Sequence, residues 1–117
     1  MLIDFEKMEA TVIPHMRGGE KEVSVKMHTD PQNKIMRGHL IPGATIGMHT
    51  HETSSEIIYI LSGRGHILYD DVCEPLEPGS CHYCPKGHAH SLMNDYPEGS
   101  ENLCFFAVVP EHGAEAE

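Results

Sequence analysis

Apolar and polar residues alternate along most of this chain in short runs, and no stretch carries a helical period. Glu22 to His28 alternates first, with Val23 and Val25 on one face. From Lys34 onward the pattern predicts strands at 34–41, 45–51, 56–62, 65–70, 80–84, 88–93 and 102–109. Turn signals separate them: Pro42-Gly43, the polar stretch 52–55, Ser62-Gly63, Asp70-Asp71, Pro78-Gly79 and Pro85-Lys86-Gly87. Earlier residues are less patterned. Leu2 to Met8 reads as a short helical turn, Thr11-Val12-Ile13 as a first strand, and Arg17-Gly18-Gly19-Glu20 as a loop. The chain therefore divides into N-terminal strands and loops (1–33), a β-rich body of the same domain (34–110) and a small, acidic tail (111–117) expected to fray. Seven or eight short strands in about ninety residues predict an all-β, antiparallel barrel or sandwich.

One strand is apolar on both faces. Glu56, Ile58 and Ile60 share one side, and Ile57, Tyr59 and Leu61 the other. A strand of this kind is covered on both sides. The second sheet covers one, and a partner subunit is expected on the other, as in a homodimer.

Composition narrows the partners. With 117 residues the chain is one domain, large enough to fold without staples. A formal net charge of −10 excludes phosphate-backbone binding, which needs clustered Lys and Arg, and disfavours anionic membrane surfaces. The N-terminus is charged where a signal peptide needs an apolar core, and the longest apolar run, 57–61, is far too short to span a bilayer. The expected compartment is the cytoplasm, with Cys73, Cys81, Cys84 and Cys104 reduced.

Histidine changes the picture. The chain has 10, six of them between positions 49 and 90. Residues two apart on a strand face the same way, so His49 and His51 can reach one point. Glu56 opens the next strand on its inward side, Glu52 has the opposite parity, and His90 follows on a later strand. Three imidazoles and one carboxylate suit Mn, Fe, Co, Ni or Zn, with one or two positions left for water or substrate. Taken singly, His49 and His51 are equally well surface residues of a polar strand.

The wider spacing carries more. Residues 43–63 read Gly43-x5-His49-x-His51-x4-Glu56-x6-Gly63, and residues 79–94 read Gly79-x5-Pro85-x-Gly87-x2-His90-x3-Asn94. Both strings match the two cupin motifs at every fixed position, so the chain resembles a small single-domain cupin of the RmlC-like, conserved-barrel type. The resemblance implies a jelly-roll barrel over 34–110 and one divalent metal per chain, held by His49, His51, Glu56 and His90. It also implies turn roles for the glycines and Pro85, and a structural role for Asn94.

Other residues carry weaker signals. Cys81 and Cys84 have C-x-x-C spacing, but strand positions three apart diverge, so neither is expected to bind metal. His82 occupies a position usually aliphatic in that family and can face inward or out. His88 shares the parity of His90 and is a candidate general acid or base, or a rim residue. Arg37 and His39 lie opposite Met36 and Leu40, attracting an anion if they face the cavity. His15, His28, His66 and His112 read as surface residues.

The function expected is a small metalloenzyme acting on an acidic or polyhydroxylated organic molecule, with dioxygenase, isomerase, lyase and decarboxylase chemistries unresolved. The alternative is a non-catalytic metal- or small-molecule-sensing module. The chain contains no helix-turn-helix segment of the kind usually fused to such modules, which favours the enzyme.

Overall fold

In the computed structural model, which describes residues 1–110, the alternation becomes two antiparallel sheets facing one another. The fraying expected of 111–117 and the surface placement of His112 lie outside the described residues. In chain order the strands are β1 (Thr11–Pro14), β2 (Glu22–Thr29), β3 (Asn33–Leu40), β4 (His49–Thr50), β5 (Glu56–Ser62), β6 (Gly65–Tyr69), β7 (Val72–Leu76), β8 (Cys81–Cys84), β9 (Ala89–Met93) and β10 (Leu103–Pro110). One sheet has six strands in the order β1-β2-β3-β10-β5-β8, and the other four, β4-β9-β6-β7. This is the all-β architecture that the strand pattern predicted and the jelly-roll that the cupin resemblance implied. The helical turn read near the N-terminus is a single 3₁₀ turn at Phe5–Lys7, capped by the Asp4 carboxylate accepting from the Glu6 N–H at 3.1 Å. Among the described residues no helix is long and apolar enough to cross a membrane.

Two sequence expectations need correction. The strand expected over 45–51 shrinks to His49–Thr50, with Thr45 making an isolated bridge to Met93. The cause is in the backbone bonding. The N–H of Thr45 goes to Glu20 O (3.0 Å), that of Ile46 to Leu92 O (2.8 Å) and that of Gly47 to Met16 O (3.0 Å), so consecutive residues alternate between the 16–20 segment and β9 and no ladder propagates. The second correction is β7, which is absent from the predicted strands and contains Pro75. Proline is tolerated there because β7 is an edge of the four-stranded sheet, where a missing N–H breaks no inner ladder.

The core fills the space between the sheets. β10 alternates buried and half-buried residues along its length, sending Leu103, Phe105, Ala107 and Val109 inward to meet Ile67, Leu76 and Leu92 from the facing sheet. Phe105 lies opposite Gly38 of β3, and a side-chain carbon at Gly38 would come within 2.9 Å of the Phe105 ring. Position 38 is therefore empty so that the ring can lie across the sheet. Asn94 is among the completely buried polar side chains. The Asn94 amide, just beyond β9, donates to the Leu40 carbonyl at 2.9 Å and to the Glu101 carbonyl at 3.1 Å. It ties the end of β3 to the loop preceding β10.

Replacing Asn94 by Ala leaves two carbonyls without that donor. The expected cost is about 2–4 kcal/mol of folding stability, measured by urea denaturation. A change below about 0.5 kcal/mol, the range of an ordinary surface substitution, would contradict the structural role.

Candidate metal centre

The site is assembled between the two sheets. His49 on β4 is the register partner of His90 on β9, so the two imidazoles are cross-strand neighbours. His51 lies two residues beyond His49, and its backbone is held to the β8–β9 turn by bonds to the His88 O (3.2 Å) and from the Gly87 N–H (2.6 Å). Glu56 is the first residue of β5, on the opposite sheet, and points inward with Ile58 and Ile60. The three Nε2 atoms form a triangle with every edge 3.2 Å. Glu56 Oε1 lies 3.0 Å from His51 Nε2 and 2.9 Å from His90 Nε2. His51, Glu56 and His90 are buried and His49 is half-buried.

The hydrogen bonds on the far sides of the rings show where the protons are. His49 Nδ1 lies 2.8 Å from the Gly47 carbonyl, which can only accept, so Nδ1 carries the hydrogen. In the neutral ring Nε2 is then a bare lone pair. Burial first, and then the nearby His90 and His51 rings, bring the His49 pKa down to about 4, against the Gly47 bond, so the neutral ring prevails at neutral pH. Burial alone would push the Glu56 carboxyl up. The hydrogen bonds and charges of His51 and His90 together outweigh it and hold the carboxyl at about 2, so Glu56 is ionised. A carboxylate and three imidazole nitrogens thus converge on one point, an arrangement that holds together only with a proton or a cation among them.

A divalent ion fits that point. Nitrogen ligands at about 2.0–2.1 Å from a tetrahedral or octahedral ion are spaced roughly 2.9–3.4 Å apart. The observed edges of 2.9–3.2 Å match that range. All four ligand atoms lie within 4.8 Å of one another. The site opens on an apolar cavity of about 50 Å³, enough for a few waters or a very small ligand. Its wall includes Ile58, Leu92 and Phe105, and its charged lining outside the quartet is Lys34 and Arg17.

Lys34 and Arg17 were missed by the sequence reading. Lys34 shares parity with Met36 and Leu40, and that signal was available. Arg17 had none, since it sits in a left-handed backbone conformation (φ 55) within a 3₁₀ turn. The turn is pressed against residues 45–47 so closely that a side chain at Gly47 would collide with the Arg17 carbonyl.

The remaining candidates fall as follows. His82 points inward, 5% exposed, with Nε2 at 3.1 Å from His90 Nδ1. His88 lies at the rim, outside the residues lining the cavity, and its Nδ1 donates to the Asp70 carboxylate at 2.7 Å. Arg37 and His39 face outward, lining a hollow on the outer side of the six-stranded sheet, and Arg37 pairs with Glu6 at 2.8 Å. They do not reach the metal cavity. Cys81 is exposed and Cys84 buried, so the two sulfurs diverge, and all four cysteines are free. Among the surface readings, His15 is exposed and bonds the Gly19 carbonyl, while His28 and His66 are half-buried and paired with Asp30 and Asp95.

Comparison with known proteins agrees with this geometry. Residues 36–108 match the family model of the cupin domain. An oxalate-binding protein of Thermotoga maritima is 32% identical, with 93% of each chain covered. A crystal structure from the same organism, described as a predicted oxalate decarboxylase, superposes with a TM-score of 0.85 at 29% identity, covering 94% of this chain and 98% of the other. The polyketide cyclase RemF of Streptomyces resistomycificus superposes with a TM-score of 0.78 at 19% identity, covering 95% and 79%, and shares the fold.

Burial first, and then the charges of Glu56 and Asp70, push the Cys84 thiol up to about 11. At pH 8 iodoacetamide should therefore label the exposed Cys73 and Cys81 and spare Cys84 until the protein is denatured. Rapid native labelling of Cys84, read by peptide mass, would contradict the inward placement.

Proposed function

The chain belongs to the cupin family, and from that premise we propose that it holds one divalent transition-metal ion (Mn, Fe, Co, Ni or Zn) on His49, His51, Glu56 and His90 and binds a small carboxylate beside it. The observation that carries this reading is the 3.2 Å triangle of imidazole nitrogens closed by the Glu56 oxygen. The ion would supply Lewis acidity and a template for the ligand's oxygens. Lys34 and Arg17 add positive charge to the cavity wall, so an anion is favoured although the protein as a whole is acidic. The narrow cavity supports a ligand of few atoms, and an oxalate-binding relative supports a dicarboxylate.

A second reading, turnover of that carboxylate, is favoured by the similarity to a predicted oxalate decarboxylase. Loss of carbon dioxide leaves a carbon that must take up a proton. Among the cavity-lining residues outside the quartet, Lys34 is the group that can hold and release one, because arginine does not deprotonate in proteins. His88, the acid–base candidate of the sequence, bonds Asp70 instead and would need another route to the cavity.

Both readings are tested on protein purified without chelator. Elemental analysis should find about one transition-metal ion per chain, lost in His51→Ala and Glu56→Ala. Calorimetry should show metal-dependent binding of oxalate in preference to neutral oxamide, weakened roughly tenfold or more in Lys34→Met, the loss of one charge-assisted contact. Carbon dioxide release, abolished in Lys34→Met, would add the catalytic step. No metal bound or taken up, or oxamide binding unaffected by chelator, would sink the proposal.

The outer face of β5 supports a homodimer. Ile57, Tyr59 and Leu61 are 39–44% exposed, and Tyr83 of the neighbouring β8 is 57% exposed. Sedimentation equilibrium should give twice the chain mass, and Tyr59→Glu should shift it to monomer. A monomeric wild type at tens of micromolar would refute this assembly. The free cysteines are in keeping with a reducing cytoplasm.

A further inference from the structure

A second line of polar side chains runs inside the barrel behind the quartet. His82 lies on β8, whose alternation sends it inward beside Cys84. Its Nδ1 is 3.1 Å from the Glu74 carboxylate on β7, and its Nε2 is 3.1 Å from His90 Nδ1. The ring is fixed from two directions, stacked on His90 at 5.3 Å between centroids and met edge-on by Tyr69 at 5.4 Å. Glu74 is half-exposed, so the line runs from solvent to the ring of His90.

The proton positions follow by elimination. The Glu74 carboxylate accepts, so His82 Nδ1 donates. In the neutral His82 ring Nε2 is then an acceptor, and His90 Nδ1 must donate to it. In the neutral His90 ring, the form that binds metal, that leaves an Nε2 lone pair facing His49, His51 and Glu56. A buried histidine that merely satisfied its own nitrogens would have no need to end on this ring.

We propose that His82 and Glu74 are positioning residues for His90, holding its ring in the tautomer and orientation that present Nε2 to the metal. The inference rests on the metal-centre reading above. His82, Cys84 and His90 also lie within 4.8 Å of one another, which offers a rival role as a second metal site. Two observations oppose the rival. The Cys84 thiol points its hydrogen toward the Pro85 and His88 carbonyls (3.9 and 3.6 Å), and the facing nitrogens of His82 and His90 already share a proton. Serving both ions would strip the His90 ring of its one N–H proton.

The test uses cobalt(II) binding to the intact chain, followed by chelator competition and by the visible absorption of the bound ion. His82→Leu should weaken cobalt affinity about 10–100-fold, the usual effect of removing a partner behind a ligating histidine. It should also change the absorption spectrum at saturating cobalt, which a purely structural role would leave alone. His82→Gln keeps an acceptor for His90 Nδ1 and should recover most of the affinity and the wild-type spectrum. Glu74→Ala, at a half-exposed position, should give a smaller loss with unchanged circular dichroism, and it carries the test should His82→Leu fail to fold. Wild-type affinity and spectrum in both His82→Leu and Glu74→Ala would overturn the inference. So would two cobalt ions in the wild type with one lost on changing His82. A wild type that binds no cobalt, nor any of the other candidate metals, would instead overturn the metal-centre reading, and this inference with it.

Discussion

Holding a carboxylate and three imidazoles against one another inside an apolar barrel is the constraint on which the rest of this structure depends. Burying polar and ionisable groups costs several kcal/mol unless each is answered by a partner. Here they answer one another at 2.9–3.2 Å, and the Gly47 carbonyl and the His82 ring take the outward-facing nitrogens of His49 and His90. Among the described residues no buried side-chain nitrogen or oxygen is left without a partner. Such a network tolerates little displacement, so the strands that carry it must be fixed to within a fraction of an ångström.

The two sheets supply that rigidity in different ways. His49 and His90 come from paired strands of the four-stranded sheet, and Glu56 from the six-stranded sheet, so the quartet forms only when the sheets are packed. Packing is driven by the alternating inward faces of β3, β5 and β10 against Ile67, Leu76 and Leu92. Phe105 and Ile58 belong to the core and also line the cavity. The hydrophobic core and the wall of the binding site are therefore the same surface, and a change in one is felt in the other.

The irregular segments do the work that strands cannot. Residues 45–47 bond Glu20, Leu92 and Met16 in turn rather than a ladder, and the Gly47 N–H holds the turn at Met16–Gly18 that places Arg17 at the cavity. Left-handed backbone at a bulky residue costs energy and persists where its surroundings over-determine it. Arg17 meets that description, held by the Gly47 N–H on Met16 O and by the close approach of Gly47. At the other sheet edge, β7 accepts Pro75 and in doing so carries Glu74 to His82. Both departures from regular pairing deliver a charged side chain to the neighbourhood of the His49–His51–Glu56–His90 quartet.

By itself the sequence determined the all-β architecture and most strand positions, while its resemblance to the two cupin motifs named the four residues that converge. These are local matters: a period of two sets which side chains share a face, and motif turns such as Gly63, Gly79 and Gly87, all at positive φ, set where strands reverse. Parity also separated Cys81 from Cys84 correctly. It left open the direction of His82, Arg37 and His39, because a face has no inside until a second sheet lies against it. Only the tertiary structure decided that His82 is inside and joined to His90, and that Arg37 and His39 are outside. It also placed Arg17 beside residues distant in sequence, and seated β7 on an edge where its proline does no harm. Each of these depends on contacts between segments far apart in the chain, and such contacts leave no periodic trace along it.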